Sequence, residues 1–230
     1  MRKLFAACVV ALLPAFAVAA GGHGVALDKA DIDLTDKAAL QDGARTFANY
    51  CMGCHSAKFQ RYERVAADIG VSEQQMIDNL VFTGAKIGEH MTIGMRPEDA
   101  KRWFGAAPPD LTLVARVRGN DWLYTYLRTF YDDPARPLGA NNLVFPNVGM
   151  PNVLGKLQGR QYMGCKQVQV VDGGKKQYDP LTGTPLTHEA CDQLVLEPNS
   201  GQLGPEAFDD KVRNLVTFLA YSADPNKLHM

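Results

Sequence analysis

Past an opening run without charge, the chain alternates short amphipathic segments with long stretches rich in Pro and Gly. Residues 35–50 read as a helix that ends on Phe47 and Tyr50. Ser72-x-x-Gln75 is a capping box ahead of Met76, Ile77, Leu80 and Val81, an apolar face at helical spacing. Pro97 suits the first turn of a short helix ending near Phe104. Residues 121–131 put Trp122, Leu123, Tyr126, Leu127 and Phe130 on one broad face that Pro134 stops. Pro205 opens a last helix, where Phe208, Val212, Leu215, Val216 and Leu219 recur at helical spacing. Residues 132–160 and 172–204 show no period and read as irregular. The exception is a small β element near 168–178, where alternation runs into Asp172-Gly173-Gly174. No internal repeat is present. The expected class is mainly α, with long loops that need a large apolar object to wrap.

The opening run is an export signal rather than part of the fold. Met1-Arg2-Lys3 supplies a positive start, Leu4 to Ala20 is uncharged, and Ala17-Val18-Ala19 is a small-x-small cleavage site. Pro14 breaks the run, which is short for a membrane span. Residues 1–19 are therefore read as a signal peptide, and residues 20–230 as one exported domain. Export implies an oxidising compartment, where thiols tend to be bridged or covalently used.

Composition narrows the classes further. The whole chain has 24 basic and 25 acidic side chains. Losing Arg2 and Lys3 with the leader leaves 22 against 25, a net charge of −3. That balance argues against nucleic-acid binding, which favours a basic excess. Ten Phe, eight Tyr and two Trp argue against a disordered chain. Asp28, Asp31, Asp33, Asp36 and Asp42 form an acidic stretch that would either be a solvated face or attract a basic partner.

Of five cysteines, Cys8 leaves with the leader and the remaining four form two pairs. Cys51-Met52-Gly53-Cys54-His55 is a C-x-x-C-H motif, the attachment signature of a c-type haem. Two thiols three positions apart reach the two vinyl groups of one porphyrin, and the following histidine lies under the ring to ligate iron. No second C-x-x-C stands at zinc spacing. The motif makes the expected fold a cytochrome c-type haem domain. Cys165 and Cys191 flank the hairpin signal and read as a disulfide closing an excursion from that domain, with two free thiols as the alternative.

The sixth ligand decides the class of haem protein. Met52 lies within the attachment loop, and Met76 sits on a helix's apolar face. Met91, Met95 and Met163 stand on loop-like segments. Met150 lies in Phe145-Pro146-Asn147-Val148-Gly149-Met150-Pro151, where two prolines and a glycine restrict the backbone and present one side chain. On local features Met150 leads, with Met91, Met95 and Met163 open.

The order CMGCH, AAPPDL at Ala106 to Leu111, FPNVGMP around Met150, and a helix ending in Tyr221-Ser222-Ala223-Asp224-Pro225 resembles the cytochrome c1 family. The resemblance covers nearly the whole exported chain. It implies one covalent haem c held by Cys51 and Cys54, with His55 and Met150 as the axial iron ligands. Arg118 stands at the position of the family's arginine that meets a haem propionate, with Arg116 two positions earlier as a competitor. The implied role is electron transfer in a quinol-oxidising bc1 complex on the periplasmic side of the bacterial inner membrane. The implied partners are cytochrome b, a Rieske iron–sulfur protein as donor and a cytochrome c as acceptor. The family's C-terminal transmembrane anchor has no counterpart before Met230. The Cys165–Cys191 excursion does not map onto the family pattern. Two other readings remain: a stand-alone soluble monohaem carrier, and a haem enzyme or gas sensor with an open sixth position.

Overall fold

The computed structural model describes residues 25–229. The leader read over residues 1–19 lies outside the described residues. Helix α1 (Lys37–Thr46) starts at Asp36, whose carboxylate accepts from the Ala39 N–H at 3.0 Å. It runs directly into one π-helical turn, Phe47–Cys51. The chain then forms β1 (Ala57–Arg61), α2 (Tyr62–Ile69) and α3 (Glu73–Leu80). The start of α3 is the capping box expected at Ser72 and Gln75, with both reciprocal bonds made. Strand β2 (His90–Met91) pairs antiparallel with β1, and α4 (Pro97–Phe104) carries Pro97 in its first turn. Next come α5 (Val114–Arg118), α6 (Asn120–Arg128), β3 (Phe130–Asp132), β4 (Ala140–Asn142) and α7 (Gly155–Gln158). The last third holds β5 (Gln161–Gln169), β6 (Val171–Asp172), β7 (Lys175–Lys176), β8 (Thr187–Leu196) and α8 (Pro205–Ala223).

The core is helical. Leu40, Ala44 and Phe47 of the first helical segment meet Val212, Leu215, Phe218 and Leu219 of α8, all buried. Tyr62, Val65, Ile69 and Met76 close the same cluster from α2 and α3. A smaller second cluster, Phe130, Ala140 and Val148, stands beside it, and Tyr126 packs against both. The sheets are small: among the described residues all four are two-stranded and antiparallel.

Two expectations about the elements need correcting. The apolar face read over 121–131 does not stay helical to its end. Helix α6 stops at Arg128, and Phe130 belongs to β3, whose partners are Asn142, Asn141 and Ala140 of β4. The stretch 172–204 is not irregular either. Strand β8 pairs with β5 from Gln161↔Leu196 to Gln169↔Thr187, a ribbon much longer than the small element expected near 168–178. Its inner hairpin, β6–β7, turns through Gly173 (φ 55°) and Gly174 (φ 76°), the left-handed pair that the Asp-Gly-Gly signal calls for. Cys165 and Cys191 are joined across this ribbon, beside a shift in register between Gly164 and Lys166.

The acidic N-terminal stretch is mostly spent inside the chain. Asp28 pairs with Arg128 at 2.6 Å, Asp33 accepts from Thr35, Asp36 caps α1, and Asp42 accepts from Lys211 at 2.6 Å. Asp42 also accepts from Asn214 and Arg45, so it clamps α1 to α8. Burial alone would raise its pKa, but these three donors outweigh it and hold the carboxyl below 3.8. A depressed carboxyl contributes stability that is complete above its unfolded pKa and lost as pH falls through the folded value. Asp42→Asn is therefore expected to lower the thermal midpoint by about 2–4 °C at neutral pH, the effect of ~1 kcal/mol in a chain of this size. Thermal melts of both proteins from pH 7 to pH 3 should converge below about pH 4; a gap that stays constant would overturn the clamp.

Candidate haem site

The π-helical turn ends on Cys51, and the chain then tightens at once. The Cys54 and His55 N–H groups both donate to the Cys51 carbonyl, at 3.0 and 2.9 Å. This tight turn brings two thiols and an imidazole to one place. Both thiols are free, Cys51 buried and Cys54 partly so, whereas Cys165 and Cys191 are bridged. Burial pushes the Cys51 thiol up to about 12, so it stays neutral as it stands. Met52 is buried and its sulfur accepts from the Tyr62 hydroxyl at 3.7 Å, which turns it into the core.

His55 is oriented by the segment 109–112. Its Nδ1 bonds the Pro109 carbonyl at 2.7 Å, and among the described residues no partner stands on Nε2. A carbonyl accepts only, so Nδ1 carries the proton and Nε2 presents a lone pair. Burial holds the imidazole pKa below 6.5, against the opposing pull of that carbonyl and of Asp110, so the ring is neutral. The same segment is strapped along the motif. Leu111 N–H donates to the Ser56 carbonyl at 2.8 Å, and the Asp110 carboxylate accepts from the Lys58 and Thr112 N–H groups. The APPDL sequence therefore has a physical task, to hold the histidine. Spacing alone did not reveal it, because the bond spans 54 positions.

Met150 comes from the second cluster, on a loop built by two buried asparagines. The Asn142 carboxamide accepts from the Val144 and Phe145 N–H groups and donates to the Tyr126 carbonyl at 2.7 Å. Asn141 accepts from Asn147 N–H, and Arg136 holds the Asn147 carbonyl. Asn147 takes a positive φ of 63°, which asparagine tolerates. The loop delivers Met150 against Phe130, Ala140 and Val148, and the Tyr126 hydroxyl donates to its sulfur at 3.4 Å. Of the competing methionines, Met91 is buried in the main core, Met163 lies on β5, and Met95 follows β2 in a loop. Sequence reasoning missed Tyr126 as a site residue, having counted it only among apolar positions.

Arg118 ends α5 with its guanidinium 4.9 Å from the Trp122 ring centre and 5.7 Å from that of Phe145. Trp122 stacks on Tyr126 at 4.8 Å, so Arg118, Trp122, Tyr126 and Met150 form a continuous set. Arg116, the competitor, is exposed and appears in none of these contacts. A cavity of about 420 Å³ opens beside the attachment motif, lined by Ala48, Asn49, Met52, Gly53, Phe82 and Thr83.

The donor set fits a haem c. Two unbridged thiols at the required spacing, a neutral imidazole with one nitrogen free, and a thioether on a rigid loop are the groups that hold such a haem. The Cytochrome C1 family model matches residues 29–179. The chain belongs to the cytochrome c1 family. It is 45% identical over 228 residues to cytochrome c1 of Allochromatium vinosum, covering 99% of this chain and 87% of that one. It is also 40% identical over 226 residues to a Nitrosomonas europaea protein named ammonia monooxygenase gamma subunit, covering 98% and 86%. A mitochondrial cytochrome c1 haem protein of Arabidopsis thaliana is 28% identical over 143 residues, covering 52% and 47%. The matched region holds the attachment motif, the 109–112 strap and Met150. It runs on through β5, β6 and β7 and ends before β8, so it takes in Cys165 and the first half of the excursion that sequence reasoning could not place, and leaves out Cys191.

Proposed function

We propose that this chain is the electron-transfer haem subunit of a quinol-oxidising bc1 complex. It takes single electrons from a Rieske iron–sulfur protein and delivers them to a cytochrome c, while docked to cytochrome b. The proposed organisation is a leader over residues 1–19 and a mainly α haem domain over residues 20–230, on the periplasmic side of the inner membrane. No helix among the described residues is long and apolar enough to cross a membrane. The observation that carries the reading is His55, neutral and tied through Nδ1 to Pro109, beside two unbridged thiols.

Each residue has a distinct task. Cys51 and Cys54, at the end of the π-helical turn, would provide the thioether links to a haem. The Pro109 carbonyl keeps the His55 proton on Nδ1, which leaves Nε2 as the nitrogen that would ligate iron and would strengthen it as a donor. Met150, from the second cluster, would provide a soft sulfur, a ligand that favours reduced iron and raises the potential. Arg118 provides a guanidinium for a propionate, already oriented by its stack on Trp122. A haem c bound by these residues supplies a one-electron couple. Were His55 and Met150 both to ligate its iron, the chain would leave no coordination site for a substrate.

The Nitrosomonas relative's name raises a second reading, a subunit of an oxygenating enzyme. Oxygen chemistry on this chain's own haem would need an open iron position, which the proposed ligation by His55 and Met150 would not leave. Purification from native membranes in mild detergent, followed by haem staining and identification of partners, tests the proposal. Cytochrome b and a Rieske protein are expected to accompany the chain, and the reduced protein is expected not to bind carbon monoxide at native pH. Recovery as a lone soluble haem protein would favour the stand-alone carrier, and carbon monoxide binding would sink the His/Met assignment.

A further inference from the structure

We infer that Tyr126 is a positioning residue for Met150, its phenol holding the thioether in place and weakening its donation to iron through the Oη–H···Sδ hydrogen bond. The inference rests on the reading of Met150 as the sixth ligand. Methionine is unbranched and flexible, so a loop that presents one rigidly must restrain the side chain as well as the backbone. The Asn141 and Asn142 carboxamides restrain the backbone here, and the phenol at 3.4 Å is the polar contact on the sulfur.

Tyr126 is well placed for this because two aromatic neighbours hold its ring. Trp122 stacks on it at 4.8 Å with the planes 12° apart, and Phe130 meets it edge-on at 5.0 Å. Asn142 couples the two partners. One side-chain amide donates to the Tyr126 carbonyl while its oxygen gathers the N–H groups that begin the Met150 loop. The loop and the phenol are thereby fixed relative to each other.

A thioether sulfur has two lone pairs. With one directed at iron, the other remains for the phenol, and a hydrogen bond there draws electron density from the sulfur. Ferric iron depends more on that density than ferrous iron does, so the bond stabilises the reduced state and raises the potential.

The test uses the purified, haem-loaded protein with Tyr126→Phe, which keeps the ring and its stacking and removes only the hydroxyl. An optical redox titration is expected to show the Met–Fe charge-transfer band retained in the oxidised protein. At the wild-type midpoint the oxidised-to-reduced ratio should rise several-fold, and a tenfold rise corresponds to about 59 mV for one electron. The same substitution in a Met150→His background, where no thioether is present, is expected to leave the midpoint where that background sets it. An unchanged midpoint in Tyr126→Phe, with the band present, overturns the inference. Equal shifts in both backgrounds also overturn it, since the phenol would then act as a general dipole. If Met150→His alone keeps the wild-type band, the ligand reading itself has failed, a result distinct from either.

Discussion

Gly43→Ala is expected to cost about 3 kcal/mol, at the upper end for overpacking, and to lower the thermal midpoint by about 6–12 °C. A Cβ at position 43 would lie 2.1 Å from the Asn214 carbonyl oxygen and 2.7 Å from Phe218 Cβ. Neither obstacle is the free end of a flexible side chain, because one is backbone within α8 and the other is the root of a fully buried phenylalanine. The helices must separate, and the contacts of Leu40, Ala44 and Phe47 with Val212, Leu215 and Leu219 loosen with them. Helix propensity works in the opposite direction, since alanine in a helix interior gains about 1 kcal/mol over glycine. The packing clash is the larger effect and sets the sign. Gly94→Ala is the control: nothing lies within 4 Å of its Cβ and its φ is not positive. Melts of the two variants should differ accordingly, and a Gly43→Ala protein as stable as wild type would mean that α1 and α8 do not cross this closely.

Gly43 also marks where the sequence stops being informative. A glycine within Lys37–Thr46 reads as a weak point in a helix, because its reason for being there lies 171 positions away at Asn214. Features written in neighbouring residues were readable: the Ser72–Gln75 box, the prolines that open α4 and α8, and the Asp-Gly-Gly turn. Features that depend on distant pairing were not. The apolar positions 122, 123, 126, 127 and 130 suit one helical face, but the Phe130 backbone is taken up by Asn142, and the helix ends two residues before it. The segment 187–196 alternates poorly and declares itself a strand only when paired with 161–169.

The site divides in the same way. Cys51, Cys54 and His55 are legible because haem attachment needs them adjacent in the chain. The group that orients His55 is 54 positions away at Pro109, and the phenol on the Met150 sulfur is 24 positions away at Tyr126. Arg118 was named by resemblance alone. Its physical place follows from the stack on Trp122, which no spacing rule would have supplied. The acidic residues 28–42 show a different limit: Asp28, Asp31, Asp33 and Asp36 are exposed, as a solvated face requires, but the pattern did not tell that Asp36 caps α1 or that Asp28 and Asp42 pair with Arg128 and Lys211.

Met150→Leu is expected to abolish the Met–Fe charge-transfer band of the oxidised protein, open the sixth position and lower the potential. The substitution separates a ligand from a filler, because leucine nearly matches methionine in volume and such exchanges usually cost less than about 1.5 kcal/mol. The cluster of Phe130, Ala140 and Val148 should therefore stay packed. Tyr126 loses its sulfur acceptor, which adds about 1 kcal/mol if the phenol finds no other. Together these cost at most about 2.5 kcal/mol, so the variant is expected to stay folded while the optical change is complete. The haem stays attached, since Cys51 and Cys54 hold it and His55 keeps its bond to Pro109. The reduced variant, unlike the wild type, should then bind carbon monoxide, which makes the vacated position directly visible. A band that survives the substitution would move the ligand to Met91, Met95 or Met163. Met91 would have to leave the main core and Met163 the β5–β8 ribbon to serve, which would rearrange the fold, whereas Met95, on the loop after β2, would need only that loop to move.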